Sequence, residues 1–322
     1  MNSSEDKHIN STCKKCKCAL QWKRREVIML NPCEHLIHRY CYNRQKEKNK
    51  CILCDNNVSS ITRLSDIYKD SNNYQKCIDI LSITNFDRNV KTKPMKVFKN
   101  SFDFISLLIK MVFTRGFDDS RKLCSQALSL GNLNLKTFGL EKIKNEPKVF
   151  ISTHTCYLDF VIIFYLLKTG FLSTSTVKDN AFAKQVSKII PLLTVEIGTK
   201  SNTVEKIKEY VEKYGSICLF PEGMITHPFT IGKFRTGAFN VGHPVYPIVI
   251  KYKNKISDTK ILDMMFKFTS EVGGDIEFYI LDPYYPPFDD VKIEEIRKDM
   301  ANVGNMLLSR VSNRDVNNSK KK

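Results

Sequence analysis

Beyond residue 100 the apolar and polar positions recur at periods that separate helices from strands. Phe102, Ile105, Ile109, Val112 and Phe113 recur at helical spacing among Asp103, Ser106 and Lys110, which predicts an amphipathic helix. Such a stripe either packs on a protein core or lies in a membrane interface. Ser120–Leu130 predicts a second helix, ended by Gly131-Asn132, and Leu133–Phe138 alternates enough to read as a strand. Lys148-Val149-Phe150-Ile151 is short and mostly apolar, as a buried strand should be, and the strand is expected over 148–153. The apolar run Phe160–Leu167 predicts a helix over 159–168, stopped at Lys168-Thr169-Gly170. Ala181–Ile190 predicts a helix stopped by Pro191, and Thr194–Ile197 a short strand. Val204, Ile207 and Val211 share one face of a helix over Asn202–Tyr214, which Gly215 ends. Ile217–Phe220, Pro244–Lys251 and Asp275–Leu281 predict strands, and Ile293, Ile296, Met300, Val303 and Leu307 a terminal helix. Strands alternating with helices predict an α/β layered sheet.

The first third of the chain has no such pattern. Residues 1–12 are polar, and residues 55–95 are rich in Asn, Asp and Ser with one apolar piece, Cys77-Ile78-Asp79-Ile80-Leu81. Between them stand Cys13-x2-Cys16, Cys33-x-His35, His38-x2-Cys41 and Cys51-x2-Cys54. Four ligand pairs of this type suit tetrahedral zinc, and so short a segment has too little core to fold without metal.

Composition narrows the class. The chain has 322 residues, room for about two domains at ~150 residues each. A hydrophobic content of 42% supports a packed core. The charge of +17, from 51 Lys+Arg against 34 Asp+Glu, favours anionic partners such as a phospholipid surface or phosphorylated substrates. Nucleic acid is disfavoured, because no reader motif accompanies the charge. The 11 cysteines do not form a disulfide framework, since most fall in metal-ligand pairs. Met1-Asn2-Ser3-Ser4-Glu5-Asp6 is not a secretory signal, so a reducing, cytosol-facing location is expected. No apolar run reaches the ~18 residues of a spanning helix, which leaves peripheral membrane association.

The ligand order Cys-Cys-Cys-His-His-Cys-Cys-Cys, with Asn31-Pro32-Cys33-Glu34-His35-Leu36-Ile37-His38 at its centre, resembles a RING finger. That resemblance implies two structural zinc ions with interleaved ligands. Cys13, Cys16, His38 and Cys41 would hold one; Cys33, His35, Cys51 and Cys54 would hold the other. Cys18 would be a spare thiol. It also implies a ubiquitin-conjugating enzyme as partner. The chain departs from the family pattern at Lys14-Lys15, at Ile52-Leu53 and in the position of Trp22.

His154 is followed five residues later by Asp159, where a strand gives way to a helix. An imidazole accepts a hydroxyl proton better when a carboxylate fixes its tautomer and steadies the imidazolium. Five residues do not share a helix face, so the pair requires His154 in the turn, curled back on Asp159. The spacing alone equally describes a solvated histidine and a helix-terminal aspartate. Three later stretches follow in order: Phe220-Pro221-Glu222-Gly223, then Lys233-Phe234-Arg235-Thr236-Gly237-Ala238-Phe239, then Pro244-Val245-Tyr246-Pro247. The ordered set resembles the glycerolipid acyltransferases, which acylate glycerol 3-phosphate and lysophospholipids. Lys-Phe-x-x-Gly-Ala-Phe and Ile280-Leu281-Asp282-Pro283-Tyr284-Tyr285-Pro286-Pro287 are most like the lysophosphatidylcholine-type branch.

The resemblance covers roughly residues 95–310. It implies an α/β acyltransferase domain, a mixed sheet flanked by helices, preceded by the small zinc-stabilised RING-like domain. It implies His154 as general base oriented by Asp159, acyl-CoA as co-substrate, and attack by a glycerol hydroxyl on the thioester. Backbone amides at the helix start could stabilise the tetrahedral oxyanion, though the sequence does not place them, and Cys156 is expected to be a small buried residue. Phe220, Pro221, Glu222 and Gly223 would form part of the acceptor site. Lys200, in Gly198-Thr199-Lys200, stands where the family has arginine, and Lys233 and Arg235 would share the anionic load. Met224-Ile225 replaces the family's usual continuation of that motif.

The expected organisation is a RING-like zinc-binding domain over 1–60, a polar linker over 61–95, a glycerolipid acyltransferase domain over 96–310 and a basic tail over 311–322. The expected function is acyl-CoA-dependent transfer of a fatty acyl chain to a glycerol 3-phosphate or lysophospholipid hydroxyl at a membrane surface. The alternative is a RING-based ubiquitin ligase or membrane adaptor whose acyltransferase domain is degenerate.

Overall fold

The computed structural model describes residues 13, 15–16, 26–33, 35–45, 47, 49–63, 74–83, 94–114, 116–130, 133–174, 187, 189–195, 202–252 and 274–316. The predicted helix over 181–190 lies almost wholly outside them, as do Lys200, Cys18 and Trp22. The chain divides into two compact units. One comprises Met1–Asp87, Thr226–Lys233 and Met306–Lys322; the other comprises Arg88–Ile225 and Phe234–Asn305.

In the first unit, β1 (Val27–Asn31) pairs antiparallel with β2 (His35–His38) and β3 (Ser60–Arg63), and α1 (Arg39–Asn43) follows β2 directly. Val27, Ile28, Met29 and Leu30 of β1 pack with Leu36, Ile37 and Tyr42 into a small core. The stretch read as a polar linker contains α2 (Tyr74–Ile83), centred on the one apolar piece seen there. Its Asp79 is buried and accepts from the Arg310 backbone N at 2.7 Å, Arg310 Nε at 2.8 Å and Ser309 Oγ at 3.2 Å. Four residues of the expected tail, 313–316, are helical.

The second unit is built on a mixed sheet. Its described strands are β4 (Leu133–Phe138), β5 (Lys148–Ser152), β6 (Gly170–Thr174), β7 (Leu192–Val195), β8 (Ser216–Leu219), β10 (Val245–Tyr252) and β11 (Gly274–Ile280). The strand order is β4-β11-β10-β5-β8-β6-β7. β10 and β11 run antiparallel; the other neighbours are parallel. The remaining described strands, β9 (Thr230–Ile231) and β12 (Leu307–Leu308), pair with each other in the first unit. Helices α3 (Pro94–Phe113), α4 (Gly116–Leu130), α5 (Leu158–Leu167), α6 (Thr203–Tyr214) and α7 (Asp290–Gly304) are the described α-helices of the second unit.

The sheet's positions explain why its strands read differently. Central β5 is buried at every position and was legible as an apolar run. β6 escaped the sequence reading, because Phe171 and Leu172 are its only large apolar residues. α5 is apolar on all sides and is buried from Leu158 through Phe164 on its inner face; Lys168 ends it in a left-handed conformation at φ 52°. α3 bears on the alternative that its stripe left open. The stripe Phe102, Ile105, Ile109, Val112 and Phe113 is 51–73% exposed, so it is not packed on the core. Met111, on another face of the same helix, carries the contact with the core instead.

Candidate active site

β5 and β8 are adjacent and parallel, with Ile151 opposite Leu219. Their C-terminal ends therefore open at the same edge of the sheet, the usual site of chemistry in an α/β layer. His154 follows β5 by two residues, and Phe220 follows β8 directly. The two rings stack, with centroids 4.1 Å apart and planes at 23°. Phe160 of α5 meets the imidazole edge-on at 5.3 Å.

The turn between β5 and α5 brings His154 back onto Asp159, as the spacing required. His154 Nδ1 lies 2.9 Å from Asp159 Oδ2. Asp159 is fully buried, and a buried carboxylate is tolerated when its oxygens accept hydrogen bonds. Oδ2 also accepts from the backbone N–H groups of Thr155 at 2.8 Å and Cys156 at 3.1 Å. Oδ1 accepts from the hydroxyl of Tyr252, at the end of β10. The amides of Thr155 and Cys156, in the turn before α5, are thus committed to Asp159. With Nδ1 held by the carboxylate, an imidazole so placed could exchange a proton through Nε2.

Cys156 is fully buried. Burial pushes its thiol well above the ordinary range, and the charge of Asp159 pushes it further the same way. A thiol so placed is a poor nucleophile, because the thiolate is the reactive form. Burial, and then the charge of Asp159, likewise holds the Tyr252 phenol protonated.

The Phe220-Pro221-Glu222-Gly223 segment makes a tight turn. Gly223 N–H donates to Phe220 O at 2.9 Å, and Arg235 N–H donates to Pro221 O at 2.8 Å. Gly223 has φ +66°, and a Cβ there would lie 2.9 Å from Arg235 Nε. Arg235 therefore spreads its guanidinium across the glycine backbone, while Glu222 beside it is buried. Lys233 falls in the first unit, exposed, its N–H donating to Val311 O at 2.9 Å. Tyr252 and Phe160 are site residues that sequence reasoning missed. Nothing in the pattern distinguishes Tyr252 from any aromatic on a buried strand.

In the first unit, the potential metal ligands converge in two groups. The ligand atoms of Cys13, Cys16, His38 and Cys41 lie within 4.8 Å of one another, as do those of Cys33, His35, Cys51 and Cys54. Cys16 Sγ is 3.4 Å from His38 Nδ1, and Cys51 Sγ is 3.5 Å from His35 Nδ1. Tetrahedral zinc with ~2.3 Å bonds to sulfur sets its donors ~3.8 Å apart, so each group fits such an ion in both chemistry and spacing.

Residues 134–251 match the family model described as Acyltransferase. The chain is 28% identical over 238 residues to the lysophospholipid acyltransferase LPEAT1 of Arabidopsis thaliana, a match covering 64% of this chain and 58% of that protein. It is 25% identical over 182 residues to the chloroplastic 1-acyl-sn-glycerol-3-phosphate acyltransferase BAT2 of Brassica napus, covering 52% of this chain and 50% of that one. The chain thus spans only about half the length of these curated relatives. Among solved structures it is similar to the 1-acyl-sn-glycerophosphate acyltransferase PlsC of Thermotoga maritima, at TM-score 0.44 and 16% identity, covering 66% of this chain and 92% of that one. The matched segment is thus similar to the Acyltransferase family, and its relatives include glycerolipid and lysophospholipid acyltransferases.

Proposed function

We propose that the second unit transfers a fatty acyl chain from acyl-CoA to the hydroxyl of a lysophospholipid or of glycerol 3-phosphate. The observation that carries this reading is the buried pair of His154 and Asp159, 2.9 Å apart at the sheet edge where Phe220 emerges. His154 is the general base: Nε2 takes the proton of the acceptor hydroxyl as its oxygen attacks the thioester carbon. Asp159 holds the Nδ1–H tautomer and steadies the imidazolium. As the tetrahedral intermediate collapses, the C–S bond breaks and the CoA thiol leaves with that proton. No acyl-enzyme is required, and the buried, protonated Cys156 supports direct transfer. Glu222, Gly223 and Arg235 form the acceptor side, where the exposed Arg235 offers a guanidinium to a phosphate. Lys200 and Lys233 are proposed as anion-binding residues on the family resemblance alone.

In the first unit the two ligand groups are proposed to hold one structural zinc each. The zinc would stabilise a fold whose apolar core is small. A ubiquitin-conjugating enzyme as partner rests on the RING resemblance alone, and the matches to acyltransferases favour the lipid reaction over the adaptor alternative.

The test is incubation of the full chain with acyl-CoA and a panel of lysophospholipids and glycerol 3-phosphate, with lipid products read by mass spectrometry. A new acylated lipid, absent with His154→Ala, is expected. No acylated product from any acceptor would overturn the reading.

A further inference from the structure

We propose that Tyr252 is a positioning residue for the catalytic pair: its hydroxyl, donated to Asp159 Oδ1, sets the carboxylate plane that fixes the His154 ring. The inference rests on the acyl-transfer reading for its consequence, though not for its geometry.

The strand pattern brings Tyr252 to this point. Residues alternate faces along β10, so Tyr252 lies on the side that carries Tyr246, Ile248 and Ile250. All four belong to the core shared with α5. β10 runs parallel to β5 with Ile248 opposite Ser152, so it continues past the point where β5 ends. At that overhang the phenol reaches the N-terminal turn of α5 from below. Asp159 is thereby held from two sides: Oδ2 takes His154 Nδ1, Thr155 N and Cys156 N, and Oδ1 takes the Tyr252 hydroxyl. Other titratable groups facing this carboxylate are Cys156, which also touches the Tyr252 hydroxyl, and Cys218 of β8, both fully buried.

Rotation about the Asp159 Cβ–Cγ bond moves both oxygens, so the Tyr252 hydroxyl on Oδ1 adds a restraint from the side opposite the three donors of Oδ2. In a buried site the Tyr252 hydroxyl keeps that role, because water does not reach Asp159 to replace it. A swung carboxylate would weaken the Nδ1 bond and let the imidazole adopt the other tautomer, with the proton on Nε2. That tautomer cannot accept the acceptor's proton.

The experiment is Tyr252→Phe in the full chain, which removes the hydroxyl and keeps the ring. Ile250→Val serves as a packing control on the same strand face. Nitrogen-15 NMR of the histidine rings reads the tautomer of His154 directly, and steady-state kinetics read kcat and KM for acyl-CoA. The parent and Ile250→Val are expected to hold His154 as the Nδ1–H tautomer. Tyr252→Phe is expected to show a mixture, with kcat lower by about tenfold and KM for acyl-CoA within twofold. A His154 tautomer in Tyr252→Phe identical to that of the parent would overturn the proposal. A parent that shows the tautomer change on mutation yet acylates no lipid would instead overturn the functional reading and leave the positioning role standing.

Discussion

The ring of Phe220 lies face to face with the ring of His154, 4.1 Å between centroids. One residue comes from the turn after β5, the other from the turn after β8. The stack therefore joins the two motifs that lie far apart in sequence. Phe160 closes the arrangement, edge-on to the imidazole at 5.3 Å and to Phe220 at 4.9 Å. The imidazole is held by a carboxylate at one nitrogen and by aromatic surface over its face.

Phe220→Ala removes that surface. Aromatic pairs are worth ~0.5–1.5 kcal/mol beyond their buried area. A tilt in the ring of that energetic size lowers kcat by up to about tenfold. The Michaelis constants should move less than kcat. A variant with the parent's kcat would mean that Asp159 alone orients the ring.

His154→Ala should abolish most acyl transfer in a folded protein, a loss of ~10²- to 10⁴-fold for a positioned base. Asp159→Asn should be comparably severe, because it replaces an acceptor of four hydrogen bonds with a group that must donate some of them. Cys156→Ser should be mild in kcat. Strong loss in Cys156→Ser beside a tolerant Asp159→Asn would point to a thiol nucleophile. Thermal melts on each variant separate chemistry from unfolding.

How much of this was legible depends on where the information lies in the chain. His154 and Asp159 stand five residues apart between a strand and a helix, so the pair was visible locally, and the ordered stretches at 220–223, 233–239 and 244–247 gave it weight. Tyr252 is 93 residues from Asp159, and only the pairing of β10 with β5 brings it near. The stripe on α3 shows the limit of periodicity, which identifies a face but not its neighbour. Asp79 shows another limit. It sits in a stretch whose Asn, Asp and Ser content reads as a linker, and its partner Arg310 is 231 residues away.

Gly223→Ala tests the turn at the acceptor side. At φ +66° an L residue is strained by ~1–2 kcal/mol, and its Cβ would press on Arg235 Nε. The expected loss in Tm is roughly 2–8 °C. Arg235→Ala in that background should recover only the part due to contact. An unchanged Tm in Gly223→Ala would contradict the left-handed turn.

The exposed stripe on α3 and the charge of +17 together support peripheral attachment to an anionic membrane. No helix among the described residues is long and apolar enough to cross a membrane. Each Lys or Arg near an anionic surface adds up to ~1 kcal/mol, a contribution that salt screens. Flotation with anionic vesicles should therefore fall with added salt, and Phe102→Asp with Ile109→Asp should reduce it further at low salt. Equal flotation of that double variant and the parent would show that the stripe does not touch lipid.

The last prediction concerns the two ligand groups of the first unit. Six thiols and two imidazoles converge there in two sets, each within 4.8 Å. The core beneath them is confined to β1, β2 and a few neighbours, too little to stabilise so short a segment alone. Metal binding should therefore be inseparable from folding of this part. Metal analysis of the full chain should give about two zinc per molecule, one for each four-ligand site. Cys33→Ser should lower this well below two, because it breaks the set completed by His35, Cys51 and Cys54 and unfolds this part with it. Acyl transfer should survive in that variant, since the sheet that carries His154 and Asp159 has its own core. A stoichiometry near zero in the parent would sink the assignment of both sites. A value near one in the parent would mean that one set closes without metal, and repeating Cys33→Ser beside Cys13→Ser would show which.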